Sequence, residues 1–215
     1  MPRERFDAEW LSLREPVDHR SRAAALIPLL ATGRGRQRLR VLDLGAGTGS
    51  NLRYLSPRLR GPQHWTLVDH DQDLLDAATS RGSADHVRRV QADLSDLSSV
   101  DIAGADVVTG SALLDLVSEE WLCQLVDACR RGSCRALFAL TYDGSIQWRG
   151  PAGDGDAQAS DNELVRLLVN RHQQQDKGFG VALGPLAGPV AQTLFRQAGY
   201  RTWLVPSPWQ LTRIE

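Results

Sequence analysis

Val41-Leu42-Asp43-Leu44-Gly45-Ala46-Gly47-Thr48-Gly49-Ser50-Asn51 decides the fold. It opens as a continuous apolar run, the pattern of a strand covered on both faces. Three glycines at alternate positions follow. Leu52 and Leu55 then fall on one side of a helical repeat. Strand, glycine turn and helix open a mononucleotide-binding half of a doubly wound α/β sheet. Glycine supplies positive φ there and lets a ligand approach backbone without meeting a Cβ. The dinucleotide fingerprint needs its third glycine at position 50, where Ser50 stands, so the match to NAD is poor.

Working outward, the 215 residues suit one domain with a full core. A formal net charge of −1 argues against a nucleic-acid footprint, although arginines crowd the segment from Arg3 to Arg40. No apolar stretch approaches the ~20 residues of a membrane span, and the first residues lack a signal-peptide core. Cys123, Cys129 and Cys134 show no zinc spacing, so no metal is expected and a reducing, cytoplasmic compartment fits.

The Asp43-to-Gly49 loop resembles the Asp-x-Gly-x-Gly-x-Gly loop of the class I S-adenosylmethionine-dependent methyltransferases. The resemblance implies a Rossmann-like doubly wound sheet of about seven strands with a C-terminal antiparallel hairpin. It implies S-adenosylmethionine as methyl donor and S-adenosylhomocysteine as product. Gly45, Ala46, Gly47, Gly49 and Asn51 would wrap the methionine part of the cofactor, with Asp43 near its cationic end. Trp65 to Val68 read as the second strand, and Asp69 closes it at the carboxyl edge beside the glycine loop. A carboxylate there accepts both hydroxyls of a ribose, in NAD and S-adenosylmethionine alike; capping the next helix is the other reading. In the family the following residue, here His70, packs on adenine. Asp93 and Leu94, after the alternating strand His86 to Val90, would contact adenine; a turn-forming Asp93 is the alternative.

The fourth strand, Ala105 to Thr109, leads to Ser111 and Asp115, which would border cofactor and acceptor. The Asn/Asp-Pro-Pro-aromatic tetrad of adenine- and glutamine-directed members is missing here, which counts against those substrates. Ser118 reads as the cap of an amphipathic helix, and Ala136 to Tyr142 as strand five.

Two helices are expected within a cap over residues 1–38: one through Phe6, Trp10 and Leu13 ending at Pro16, one from about Arg20 to Leu30. Arg14 is the candidate fork for the cofactor carboxylate. Residues 142–185 form an insertion over the active site, with a helix begun by the capping box Ser160-Asp161-Asn162-Glu163. Tyr142, Asp143, His172, Asp176 and Lys177 are the candidate acceptor-pocket residues. His172, Asp143 or Asp176 would serve as general base. A merely structural lid is the alternative. Pro189 is expected to begin the last helix. Tyr200 to Val205 and Trp209 to Ile214 should make the hairpin.

The expectation is one methyltransferase domain, monomer or homodimer, acting on oxygen or nitrogen of a small molecule. A non-catalytic S-adenosylmethionine-binding module, a nicotinamide oxidoreductase and a nucleic-acid methyltransferase are the rival readings.

Overall fold

The computed structural model describes residues 7–30, 38–78, 84–148 and 156–211, the side chains of 156–159 excepted. Five strands make one parallel sheet: β1 (Leu39–Leu44), β2 (Gln63–Asp69), β3 (His86–Gln91), β4 (Val107–Ser111) and β5 (Arg135–Ala139). Their order is β3-β2-β1-β4-β5. Leu44 of β1 pairs with Val68 of β2 on one side and with Gly110 of β4 on the other. The order reverses between β1 and β4, and α/β proteins bind ligands at the carboxyl ends of strands at such a point.

Alternate strand residues enter two cores. Leu42, Leu44, Val68 and Val108 join Trp121, Leu122, Leu125 and Phe195 on one face. Val41, Trp65, Leu67 and Val107 join Leu52, Leu55 and Leu30 on the other. This double burial is why the central strands are apolar throughout. Gln63 is fully buried; its amide donates to the carbonyls of Ser56 and Leu59 and accepts from Trp65 Nε1.

Among the described residues six α-helices surround the sheet: α1 (Ala8–Ser21), α2 (Ser50–Leu55), α3 (Gln72–Ala77), α4 (Glu119–Gly132), α5 (Asp156–Gln173) and α6 (Ala187–Gln197). Asp71 caps α3 and Ser118 caps α4, each accepting from backbone N–H groups of the first turn.

Several sequence expectations are corrected. α1 does not stop at Pro16 but runs through it, losing one ladder bond and keeping Val17 and Asp18 buried. Its continuation is a 3₁₀ turn, Ala24–Leu30, so the expected second helix is divided at Arg22. Strand five ends at Ala139, and Leu140 has a positive φ. Ser160 caps nothing, because α5 begins at Asp156. The last helix begins at Ala187, which puts Pro189 inside its first turn.

The main departure is at the C-terminal side. The sheet has five strands rather than seven, and no strand is formed among the described residues beyond Gln197. Residues 200–211 run irregularly instead. Tyr200 packs edge-on against Phe195, Arg196 Nε donates to Thr202 Oγ1, and Leu204 lies beside Gly188. The segment then reaches α1, where Arg20 donates to the carbonyl of Gln210 and the Arg14 guanidinium covers the Trp209 ring at 5.0 Å. The expected strand residues Thr212 to Ile214 lie outside the described residues.

Candidate active site

The glycine loop leaves β1 at the switch point. Gly45, Gly47 and Gly49 have φ of +64°, +51° and +80°, a left-handed run that side-chain-bearing residues rarely adopt. Ala46 between them is buried and donates its N–H to the carbonyl of Val68. Gly47 donates its N–H to Asp69 Oδ2 at 2.8 Å. The other Asp69 oxygen accepts from Asp71 N at 3.0 Å and lies 3.2 Å from His70 Nδ1. Asp69 therefore fixes the loop's curvature from the neighbouring strand. His70 Nε2 is buried and has no partner.

Below the loop lies a polar core. Asp43 is fully buried, and one of its oxygens accepts from Asn51 Nδ2 at 2.7 Å. The same amide nitrogen donates to Thr109 Oγ1 at 3.0 Å. Asn51 Oδ1 accepts from Arg22 Nη1 at 2.6 Å, and Arg22 Nη2 donates to Ser111 Oγ at 2.9 Å. Arg22 thus bridges the starts of both halves of the sheet. Burial pushes the Asp43 carboxyl up to about 7; the Asn51 hydrogen bond and the Arg22 charge oppose that rise, and Asp69 adds to it. Two buried atoms here have no partner, Arg22 Nε and Asp43 Oδ2. Such atoms are unfavourable unless a ligand or water completes them.

α1 roofs this arrangement. Leu11 packs 3.5 Å from where a Cβ on Gly47 would lie. Glu15 forks onto Arg53 of α2, and that pairing holds its carboxyl below the usual range. His19 Nε2 lies 3.1 Å from both the carbonyl and the hydroxyl of Ser50.

The other candidates have local partners. Arg14 forks onto Asp18, at 2.9 and 3.2 Å. Arg22, rather than Arg14, is the arginine that enters the polar core. Asp93 is exposed and accepts from the N–H and hydroxyl of Ser95; Leu94 is buried, its carbonyl accepting from Trp121 Nε1. Tyr142 donates to Asn170 Oδ1 at 2.6 Å, and Asp143 accepts from Ser145 N. Lys177 Nζ lies 3.0 Å from His172 Nε2, so the ammonium donates and the ring nitrogen accepts. Asp176 Oδ1 accepts from the N–H groups of Gly178 and Gly180. These glycines meet Ser95, Ser118, Trp121 and Phe179 at a groove of about 320 Å³ beside the start of α4. Thr109, not singled out in the sequence, links Asn51 to the carbonyl of Leu137.

Among the described residues no group of three or more His, Cys, Asp or Glu is placed to hold a metal ion. Nor is any helix long and apolar enough to cross a membrane.

Residues 41–132, from β1 to the end of α4, match the family model described as a methyltransferase domain. Over that stretch the chain is similar to the methyltransferase domain family. Three solved structures are similar to the chain. The methyltransferase SibL is 23% identical over 89% of this chain and 49% of its own, with a TM-score of 0.47. Human N-acetylserotonin methyltransferase, solved with S-adenosylmethionine, is 16% identical over 90% of this chain and 48% of its own, also at 0.47. The YcgJ protein of Bacillus subtilis is 21% identical over 84% of this chain and 68% of its own, at 0.50. The chain spans about half the length of the first two. No curated protein matches it. S-adenosylmethionine is the cofactor of this domain class, and the residues at the switch point fit it. The glycine loop offers backbone without Cβ, and the orphaned Asp43 and Arg22 atoms offer an acceptor and a donor of opposite charge.

Proposed function

We propose that the chain transfers a methyl group from S-adenosylmethionine to an oxygen or nitrogen of a small-molecule acceptor. The observation that carries this reading is the buried Arg22–Asn51–Asp43 chain directly beneath three left-handed glycines. Asp43, Arg22, Gly45, Ala46, Gly47, Gly49, Asn51 and Ser111 would hold the amino-acid part of the cofactor. Asp69, His70, Asp93 and Leu94 would hold its adenosine. The cofactor supplies a methyl group on a sulfonium, which a nucleophile takes by in-line displacement. The protein's part is alignment and exclusion of water, and alignment alone contributes ~7–11 kcal/mol in favourable cases. Leu11 of α1 covers the glycine loop, and the Trp209 segment packs on α1, which suits a closed site for a small acceptor. Within the proposal the protein works in the cytoplasm, as a monomer or homodimer.

Parallel calorimetric titrations with S-adenosylmethionine, S-adenosylhomocysteine and NAD test the reading. Micromolar binding of the first two and none of NAD is the expected outcome. NAD binding, or no binding at all, would overturn it.

A further inference from the structure

We propose that Asp115 is the proton acceptor for the methyl-accepting group and that this group is an amine. The proposal rests on the methyltransferase reading and deepens it. Asp115 lies four residues beyond Ser111, on the turn that leaves β4 at the switch point. Leu113 of the same turn packs 3.6 Å from where a Cβ on Gly45 would lie, so the turn abuts the glycine loop. The Asp115 carbonyl accepts from Gly184 N at 3.0 Å, which fixes the turn to the far end of the insertion.

The side chain is 7% exposed. Its Oδ1 is buried without a partner. The orphaned oxygen asks for a donor that the protein does not supply. Burial pushes the Asp115 carboxyl up, which makes it a stronger base. The nearest cation that acts on it, Arg14, is already forked onto Asp18.

An ammonium is the donor that a desolvated carboxylate holds best. It is also a far stronger acid than an aliphatic hydroxyl, so a carboxylate can take its proton. In the step, the ammonium gives one proton to Asp115. The nitrogen lone pair so released forms the N–C bond to the methyl carbon while the S–C bond breaks and its electron pair stays on sulfur. The methylated amine leaves as a cation, and Asp115 returns its proton to water. His172 is less suited, since its Nε2 already accepts from Lys177.

The test uses the whole protein saturated with S-adenosylhomocysteine. The Asp115 carboxyl carbon is followed by NMR, assigned by its disappearance in Asp115→Asn, during titration with butylamine and, separately, butanol. Butylamine should move the resonance at least three times as far as butanol. No response to butylamine, or an equal response to butanol, overturns the proposal. Calorimetry on Asp115→Asn adds a second reading: affinities for S-adenosylmethionine and S-adenosylhomocysteine should both stay within twofold. A loss confined to S-adenosylmethionine would make Asp115 a partner of the sulfonium instead. Failure of the wild-type protein to bind S-adenosylhomocysteine would remove the methyltransferase reading itself, a separate outcome.

Discussion

Arg22 and Asn51 are joined inside the protein by a 2.6 Å hydrogen bond from guanidinium to side-chain amide. Through it the residue that closes α1 is tied to the first turn after the glycine loop. The roof and the floor of the site are thus one hydrogen-bonded unit.

Arg22→Leu should therefore do more than remove a contact. It leaves Asn51 Oδ1 and Ser111 Oγ without their donor and Asp43 without its nearby cation. Each orphaned buried acceptor costs ~1–3 kcal/mol, so a loss of about 3 kcal/mol is expected in urea unfolding. Arg22→Lys should recover only part of it, because an ammonium lacks the planar fork that spans both acceptors. A lysine variant as stable as wild type would count against the bridge.

Asp43 makes a pH prediction. Its carboxyl rises on folding from 3.8 to about 7. Between those values the folded chain holds a proton that the unfolded chain has released. The stabilisation from this group is complete below the unfolded value, and is lost as pH rises through about 7. The stability of wild type relative to Asp43→Asn should fall across that window, by at most ~1.4 kcal/mol per pH unit. Parallel curves for the two proteins would show that the shift is not there.

Asp69 curves the glycine loop by accepting from Gly47 N. Asp69→Ala removes that acceptor. S-adenosylhomocysteine should then bind roughly 10- to 150-fold more weakly, equivalent to ~1.5–3 kcal/mol for a charge-assisted hydrogen bond. The melting temperature should fall as well, because Gly47 and Asp71 lose their partner. An unchanged dissociation constant would take Asp69 out of the cofactor site.

Gly49 and Gly61 offer a matched pair. Their φ values are +80° and +83°, so alanine is strained at both. At Gly61 nothing lies within 4 Å of the added Cβ, whereas at Gly49 it would meet Ala78 Cβ at 3.3 Å. Gly61→Ala should cost ~1–2 kcal/mol, and Gly49→Ala about 1 kcal/mol more. Equal losses in chemical denaturation would mean that Ala78 moves aside freely.

What the sequence made legible follows from how local each signal is. The strand before the glycine loop, the loop itself and the cap at Ser118 depend on residues a few positions apart, and the structure places them there. Arg22 was not separable from Arg14 in this way. Which arginine enters the core depends on α1 continuing through Pro16 and breaking only at Arg22, a choice made by the docking of Leu11, Glu15 and His19 onto α2. The terminal hairpin misled for a related reason. Alternation in Tyr200 to Val205 signals extended chain, but a ladder also needs a partner. Here the segment finds Phe195, Gly188 and α1 instead. In the insertion, His172, Asp176 and Lys177 have the side chains of a catalytic group, yet their hydrogen bonds run to one another or to nearby backbone.

The strand order has a consequence for how the chain is made. β1 can pair with β2, and β2 with β3, as soon as they leave the ribosome, but the other edge of β1 waits for β4. Until then a row of backbone N–H and C=O groups on the central strand faces outward, the kind of edge that recruits other chains. Arg40 and Asp106 meet at the start of that late pairing, where Asp106 accepts from both the backbone and the guanidinium of Arg40. Weakening this latch by Asp106→Ala should slow the joining of the two halves and raise aggregation during refolding. The pairing of β1 with β4 is thus also the one that brings Ser111 beside the end of β1, where the glycine loop begins.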